Sequence, residues 1–205
     1  LEIMVGESNI GTIYIFPCIV LPNAPMNLPE YKEKYQIKTI HSPIYLRHTS
    51  IHNETMNEYE DLIISTSSFN FNELKEMHVF SWMILTFQNL GILEYIVKFY
   101  NKLYSIKFIE FYDEFFKYCS TEKSLFSEEY KILEKYMEKG YAGKGWDHYD
   151  SKIGDINWPI EEATWLRIVS QKSRLSEEIY QFLLFFDRKF GYNTSKETLE
   201  DLIKL

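Results

Sequence analysis

Five of the six prolines of this chain (Pro17, Pro22, Pro25, Pro29 and Pro43) fall within its first 43 residues. Proline locks its own φ, lacks an N–H and pushes the preceding residue out of the helical region, so no long helix fits there. β-Branched and aromatic residues crowd the same stretch into short runs, which read as strands joined by loops. Ile10 to Leu21 (IGTIYIFPCIVL) is almost continuously apolar and reads as a strand covered on both faces, as in a parallel sheet. Pro17 inside it marks a sheet edge, a bulge or a division into two pieces. Pro22 to Pro29 (PNAPMNLP) is expected to be a structured loop at that strand's end, where α/β proteins place ligand sites. Shorter strands are expected at Ile37 to Ile40, Ile44 to His48 and Tyr59 to Ser65.

From about residue 70 the apolar residues recur at helical spacing. Asn70 with Glu73 makes a capping arrangement ahead of Leu74, Met77, Val79, Phe80, Met83, Ile84 and Phe87, and Asn89 and Gly91 end the pattern. Met77 to Leu93 holds no Asp, Glu, Lys or Arg, but it falls short of the ~20 apolar residues of a membrane span and reads as a buried helix. Two aromatic-rich helices follow, Ile92 to Leu103 and Ile106 to Tyr118. A fourth runs from a Ser127 cap to Lys139, with Gly140 as a left-handed stop. Gly140 to Asn157 (GYAGKGWDHYDSKIGDIN) holds four of the eight glycines and reads as a break. Trp158-Pro159 then opens a helix to Val169, Ser173 or Ser176 one to Phe190, and Thr194 or Ser195 a last one to Ile203. The fold class is therefore α+β, mainly α-helical: a few N-terminal strands over residues 1–69, then a helical domain of about six or seven helices over 70–205.

At 205 residues the chain is long enough to bury a core without disulfides or metal. A net charge of −8 lacks the electrostatic footprint of a binder of nucleic acid or anionic membrane, so neither is expected as a partner. Two cysteines, Cys18 and Cys119, are too few for a disulfide scaffold, a zinc site or an iron–sulfur cluster held by this chain alone, and no metal site is expected. Unpaired thiols and the absence of a secretory pattern fit a cytoplasmic location.

Several motifs invite a chemical reading. His41, His48 and His52 resemble a metal trio, yet the four-residue spacing of the last two suits ligands only on a helix, and YLRHTSIHNET reads as a strand end and loop. Arg47 beside His48 can contact an anion or carboxylate through its planar donor fork, against the alternative of a solvent-facing loop pair. Gly140, Gly143 and Gly145 with Lys144 lack the GxxxxGK[ST] order of a phosphate loop and read as a flexible connection. Trp146, Trp158 and Trp165 read as packing anchors. Asp113 with Glu114 and Glu161 with Glu162 read as solvated faces, because sequence neighbours point to different sides of a helix. Cys18 reads as a small buried hydrophobe.

The N-terminal loop carries a specific resemblance. Leu21-Pro22-Asn23-Ala24-Pro25-Met26, then Pro29-Glu30-Tyr31, then Lys34-Tyr35-Gln36-Ile37-Lys38-Thr39 resembles the "LPN(A/S)PM…PEY…K(Y/H)xI(K/E)T" stretch that ends a late barrel strand in cobalamin-binding radical S-adenosylmethionine (radical SAM) proteins. Arg47-His48, the IISTSSF run at Ile63 to Phe69 leading to Trp82, and Trp158-Pro159-Ile160-Glu161-Glu162-Ala163 are similar to its continuation. The likeness covers most of the chain, more closely at 12–69 than beyond.

The resemblance implies that residues 1–69 are the terminal strands and loops of a radical SAM-type barrel and that the helices close its mouth and shape a substrate cavity. The parent would use a 4Fe–4S cluster, S-adenosylmethionine and cobalamin for methyl transfer or a radical rearrangement. The CxxxCxxC loop that holds such a cluster is missing here, so this chain is expected to be the C-terminal part, inactive and cofactor-free alone. Its partners would be the upstream barrel and cobalamin-binding domains and a small-molecule substrate. No catalytic residue is assigned; Asn23, Arg47 and His48 are the expected substrate or cofactor contacts, being in or near the matching loops and capable of directional hydrogen bonds. The alternative is a non-catalytic helical protein-interaction module that docks through an exposed apolar face.

Overall fold

A computed structural model of the chain describes residues 12–50, 58–121 and 123–204. Among them the chain is α+β and mainly helical, with eight α-helices and two small antiparallel sheets. By internal contacts it divides into two compact units, one of residues 1–14, 83–131 and 164–205, the other of residues 15–82 and 132–163. No single helix among the described residues is long and apolar enough to cross a membrane.

The second unit holds the strands. Its main sheet has the order β1–β3–β2, with β1 at Ile19–Val20, β2 at Lys38–Pro43 and β3 at Tyr59–Ser65. β3 is central, and Leu62 faces Ile19 on one side and Ile40 on the other. The long buried parallel strand expected at Ile10 to Leu21 does not form over its described part. Only Ile19–Val20 is a strand, its pairing is antiparallel, and Tyr14 and Phe16 are 69% and 66% exposed. Pro17 supplies no N–H to a ladder, and the carbonyl of Ile15 accepts a side-chain bond instead, from Ser81 Oγ at 3.0 Å. Cys18 is exposed and not the buried hydrophobe expected.

The proline-rich stretch contains a short helix absent from the sequence reading, α1 at Pro29–Tyr35, preceded by a 3₁₀ turn at Pro25–Asn27. It opens on Pro29, in the first turn, where a missing N–H costs nothing, and stops at Gln36, whose φ is +52°. Ile44 to His48 is a loop and not a strand: Thr49 Oγ1 donates to the Leu46 carbonyl at 2.7 Å and His48 takes a left-handed φ of +61°. β4 (Tyr149–Asp150) and β5 (Gly154–Asn157) make a hairpin inside the glycine-rich stretch.

α2 (Phe71–Met83) begins as its sequence requires: Asn70 Oδ1 accepts from the N–H of Asn72 and Glu73, while Glu73 Oε2 accepts from the N–H of Asn70. It runs on into a π-helical turn at Ile84–Asn89 whose first five residues are buried, as the charge-free stretch implies.

The first unit is built around aromatic rings on α3 (Glu94–Tyr104), α4 (Phe108–Thr121) and α7 (Lys172–Phe190). Phe111 meets Phe182 and Phe186 at 5.4 and 4.9 Å, and Phe115 meets Phe87 and Phe182 at 4.8 and 5.1 Å, in tilted and edge-on contacts. Tyr100 donates to Asp187 Oδ1 at 2.7 Å, and Asp187 Oδ2 accepts the N–H of Thr194 at 3.2 Å. Arg167 and Glu129 form a buried two-pronged pair. Glu114 is buried against Lys117 and Lys189 and is not part of a solvated face.

α5 (Leu125–Lys139) starts before the expected Ser127: Ser124 and Ser127 exchange side-chain bonds with each other's N–H at 3.0 Å, and Glu178 takes the N–H of Leu125. α6 spans Ile160–Val169. α7 follows Gln171 and has no serine cap, and Gly191 closes it at φ +70°. α8 (Lys196–Leu202) is capped by Ser195, which accepts the Thr198 N–H.

Tyr100→Phe leaves the buried Asp187 carboxylate short of a donor and should cost about 1–3 kcal/mol, read from urea denaturation. Phe115→Ala, which removes a ring from the aromatic stack, should cost about 3–5 kcal/mol by the same measurement. An unchanged midpoint in either variant contradicts the packing described.

Candidate functional site

Two separate parts of the continuation of the sequence resemblance meet in the second unit. Arg47 and His48 lie in the loop after β2, and Glu161 and Glu162 lie in the first turn of α6. Arg47 donates from one terminal nitrogen to Glu161 Oε1 at 3.3 Å, and His48 Nε2 is 2.7 Å from Glu162 Oε2. The His48 ring stands edge-on to Trp158 at 5.9 Å. Adjacent glutamates diverge, as their sequence spacing demands, but each finds a basic partner instead of open solvent. The helix's positive end further favours both carboxylates.

Asn157 sets this geometry. It is only 1% exposed, and its side chain is filled at both ends: Oδ1 accepts the N–H of His148 at 2.9 Å and Nδ2 donates to the Leu46 carbonyl at 3.0 Å. Its main chain accepts from the N–H of His48 and donates to the carbonyl of Thr49, both at 2.7 Å. A left-handed conformation at a non-glycine residue persists only where its surroundings over-determine it, and these bonds hold His48 there. The sequence reading did not single out Asn157. An asparagine in a strand, where the residue type is depleted, is the signal that marks a side chain bonding to its surroundings.

Behind the ion pairs lies an aromatic group around His78 of α2. Its Nδ1 is 3.0 Å from the Tyr141 hydroxyl, and its ring lies 5.1 Å from Trp146 and 6.4 Å from Tyr136. Tyr136 donates to the main-chain carbonyl of Trp146 at 2.9 Å. Trp146 Nε1 is buried with no hydrogen-bond partner among the described residues. Gly140 makes the close packing possible, since a Cβ there would come within 2.4 Å of the Trp146 ring. Gly140 continues into a π-helical turn, Gly140–Lys144, and is not the expected left-handed stop; that conformation falls at Gly143, φ +73°. A Cβ on Gly145 would meet Tyr45 at 2.2 Å. The glycine-rich stretch is thus packed against its neighbours and is not the flexible connection expected.

Arg47 is the electrostatic centre. Burial first, and then the Arg47 charge, push His78 from 6.5 down to about 4, leaving a neutral imidazole at pH 7. Burial raises Tyr136, with Arg47 opposing and Glu161 and Asp147 reinforcing. Burial also raises Glu60 on β3 against the pull of Arg47. Lys139 and Asp147 pair at 2.6 Å in the same unit. A neutral histidine and a carboxyl tuned upward, both within the field of one guanidinium, form the kind of perturbed cluster that is found at functional sites.

Of the three expected contact residues, Arg47 and His48 are brought together. Asn23 is exposed in the turn after β1 and hydrogen-bonds to neither. His41 lies on β2, 3.0 Å from Asp61 and stacked on Tyr59 at 4.7 Å. His52, the third member of the imagined metal trio, lies outside the described residues, among which no group of three His, Cys, Asp or Glu side chains could hold a metal ion. Trp158 and Trp165 act as packing anchors, donating to the carbonyls of Gly154 and Leu90. No family model matches this chain, and no curated protein matches it either.

Because the folded value of His78 lies below its unfolded one, its contribution to stability is intact above pH 6.5 and is lost as the pH falls toward 4. The loss from this group should reach ~2–3 kcal/mol between about pH 7.5 and about pH 4.5. His78→Gln should flatten the pH dependence of the urea midpoint by that amount, and parallel profiles for variant and parent would sink the assignment.

Proposed function

We propose that this chain is the C-terminal, substrate-facing part of a cobalamin-binding radical SAM enzyme. The observation that carries the reading is the double pairing of Arg47 with Glu161 and His48 with Glu162. These two segments, 114 residues apart, both belong to the looser continuation of the resemblance that Leu21 to Thr39 carries, and a shared site is what a common role would need.

In this reading the upstream barrel and cobalamin-binding domains supply the 4Fe–4S cluster, S-adenosylmethionine and cobalamin, and the cytoplasmic parent carries out methyl transfer or a radical rearrangement. The residues of this chain orient a small-molecule substrate. The Arg47 guanidinium offers donors, the His48 main chain is held by Asn157 and its imidazole meets Glu162, and the aromatic group around His78 supplies an apolar wall.

The test is anaerobic reconstitution of the full reading frame with iron and sulfide. The expected result is a CxxxCxxC sequence in frame, a bound cluster and reductive cleavage of S-adenosylmethionine, with no iron bound by the 205-residue chain alone. In the reconstituted enzyme Arg47→Gln should lower substrate turnover roughly 10- to 100-fold while uncoupled S-adenosylmethionine cleavage continues. A frame without the cysteines, or a reconstituted protein that does not cleave S-adenosylmethionine, overturns the reading.

A further inference from the structure

We propose that Arg47 is the anchor for a carboxylate group of a small-molecule ligand and that Glu161 holds its place in the unliganded protein. The inference rests on the reading of this site as substrate-facing and names the substrate chemistry.

The arginines of this chain are held in different ways. Arg167 is held by Glu129 through bonds of 2.7 to 3.0 Å, and Arg174 by two bonds to Glu128 and one to Glu178. Among the described residues Arg47 makes one hydrogen bond, from one nitrogen, at 3.3 Å, and its side chain is 50% exposed. A guanidinium is built to meet a carboxylate with two parallel bonds, and this one leaves most of its fork unused. The partner is easily released, because Glu161 in the first turn of α6 is also stabilised by the helix's positive end. A single 3.3 Å bond to a half-exposed guanidinium holds it only weakly.

The rest of the site is rigid. Asn157 fixes the loop that presents Arg47, and the strained His48 is the kind of outlier that accompanies a site positioned in advance. The guanidinium is half exposed to water, and its charge reaches His78 and Tyr136. A ligand carboxylate replacing Glu161 would receive two bonds from Arg47, and the body of the ligand would lie along the aromatic side. Glu60, Glu161 and Glu162 around the site oppose general anion attraction, and they oppose the more highly charged phosphate more than a single carboxylate that the Arg47 fork can grip.

The experiment titrates the chain with acetate and with succinate, using inorganic phosphate and chloride at matched ionic strength as comparisons. The Arg47 side-chain N–H and the His48 ring are followed by NMR. Carboxylates should shift both resonances, with phosphate and chloride producing less change. Glu161→Gln, which removes the competing carboxylate, should tighten acetate binding by up to about fivefold. Arg47→Gln should abolish the response, and Arg188→Gln, which removes an exposed arginine in the other unit, should leave it intact. An absent carboxylate response, an equal response to phosphate, or a Glu161→Gln variant that binds no tighter overturns the proposal. If Arg47→Gln does not fold, the Glu161→Gln titration decides. The readout needs no cluster, so a protein that binds carboxylate but whose full reading frame cleaves no S-adenosylmethionine refutes only the family reading. A cluster-bearing enzyme without the carboxylate response refutes only this inference.

Discussion

A buried amide must find all its hydrogen bonds inside the protein, and Asn157 does so by tying together chain segments that sequence keeps far apart. Its side chain joins the loop at Leu46 to the loop at His148, and its main chain joins His48 and Thr49 to the strand that leads into α6. The consequence is a fixed presentation of two neighbouring basic residues toward two neighbouring acidic ones. Without that tether His48 would have no reason to hold a left-handed backbone, and the Arg47 and His48 side chains would lose their common direction.

The electrostatics of the second unit follow from the same arrangement. Arg47 is kept close enough to the aromatic group to reinforce the neutral state of His78 and to oppose the burial of Tyr136 and Glu60. The first unit shows the contrasting use of polar groups. Arg167 with Glu129 and Tyr100 with Asp187 are closely matched, as buried polar groups in a packed aromatic core must be. Saturated pairs hold a fold together, whereas a half-used guanidinium at the surface keeps capacity for a ligand.

The helices were legible where local chemistry sets them. Asn70 and Glu73 mark the start of α2, Gly191 the end of α7 and Ser195 the start of α8, because each satisfies backbone groups within a few residues. β3 was legible in full. The N-terminal strand was not: an apolar run names a strand but leaves open its partner, and Pro17 together with the bond from Ser81 limits it to two residues. The cap of α5 was misplaced because Ser124 and Ser127 are equally good cap residues by type, and their reciprocal bonds choose between them. In the glycine-rich stretch, glycine signalled freedom where its role is closeness, to Trp146 at Gly140 and to Tyr45 at Gly145.

Sequence alone determined the class of the fold, the starts of α2 and α8, the end of α7, and the segments that resemble one family, because capping residues and apolar periodicity act over a handful of positions. It singled out Arg47 and His48 but assigned Glu161 and Glu162 to a solvated face. Only the tertiary structure decided that these four residues meet across 114 positions, that Asn157 fixes them, and that His78 is buried beside the Arg47 charge. Hydrogen bonds, burial and charge depend on distance in space, and no spacing along the chain encodes it.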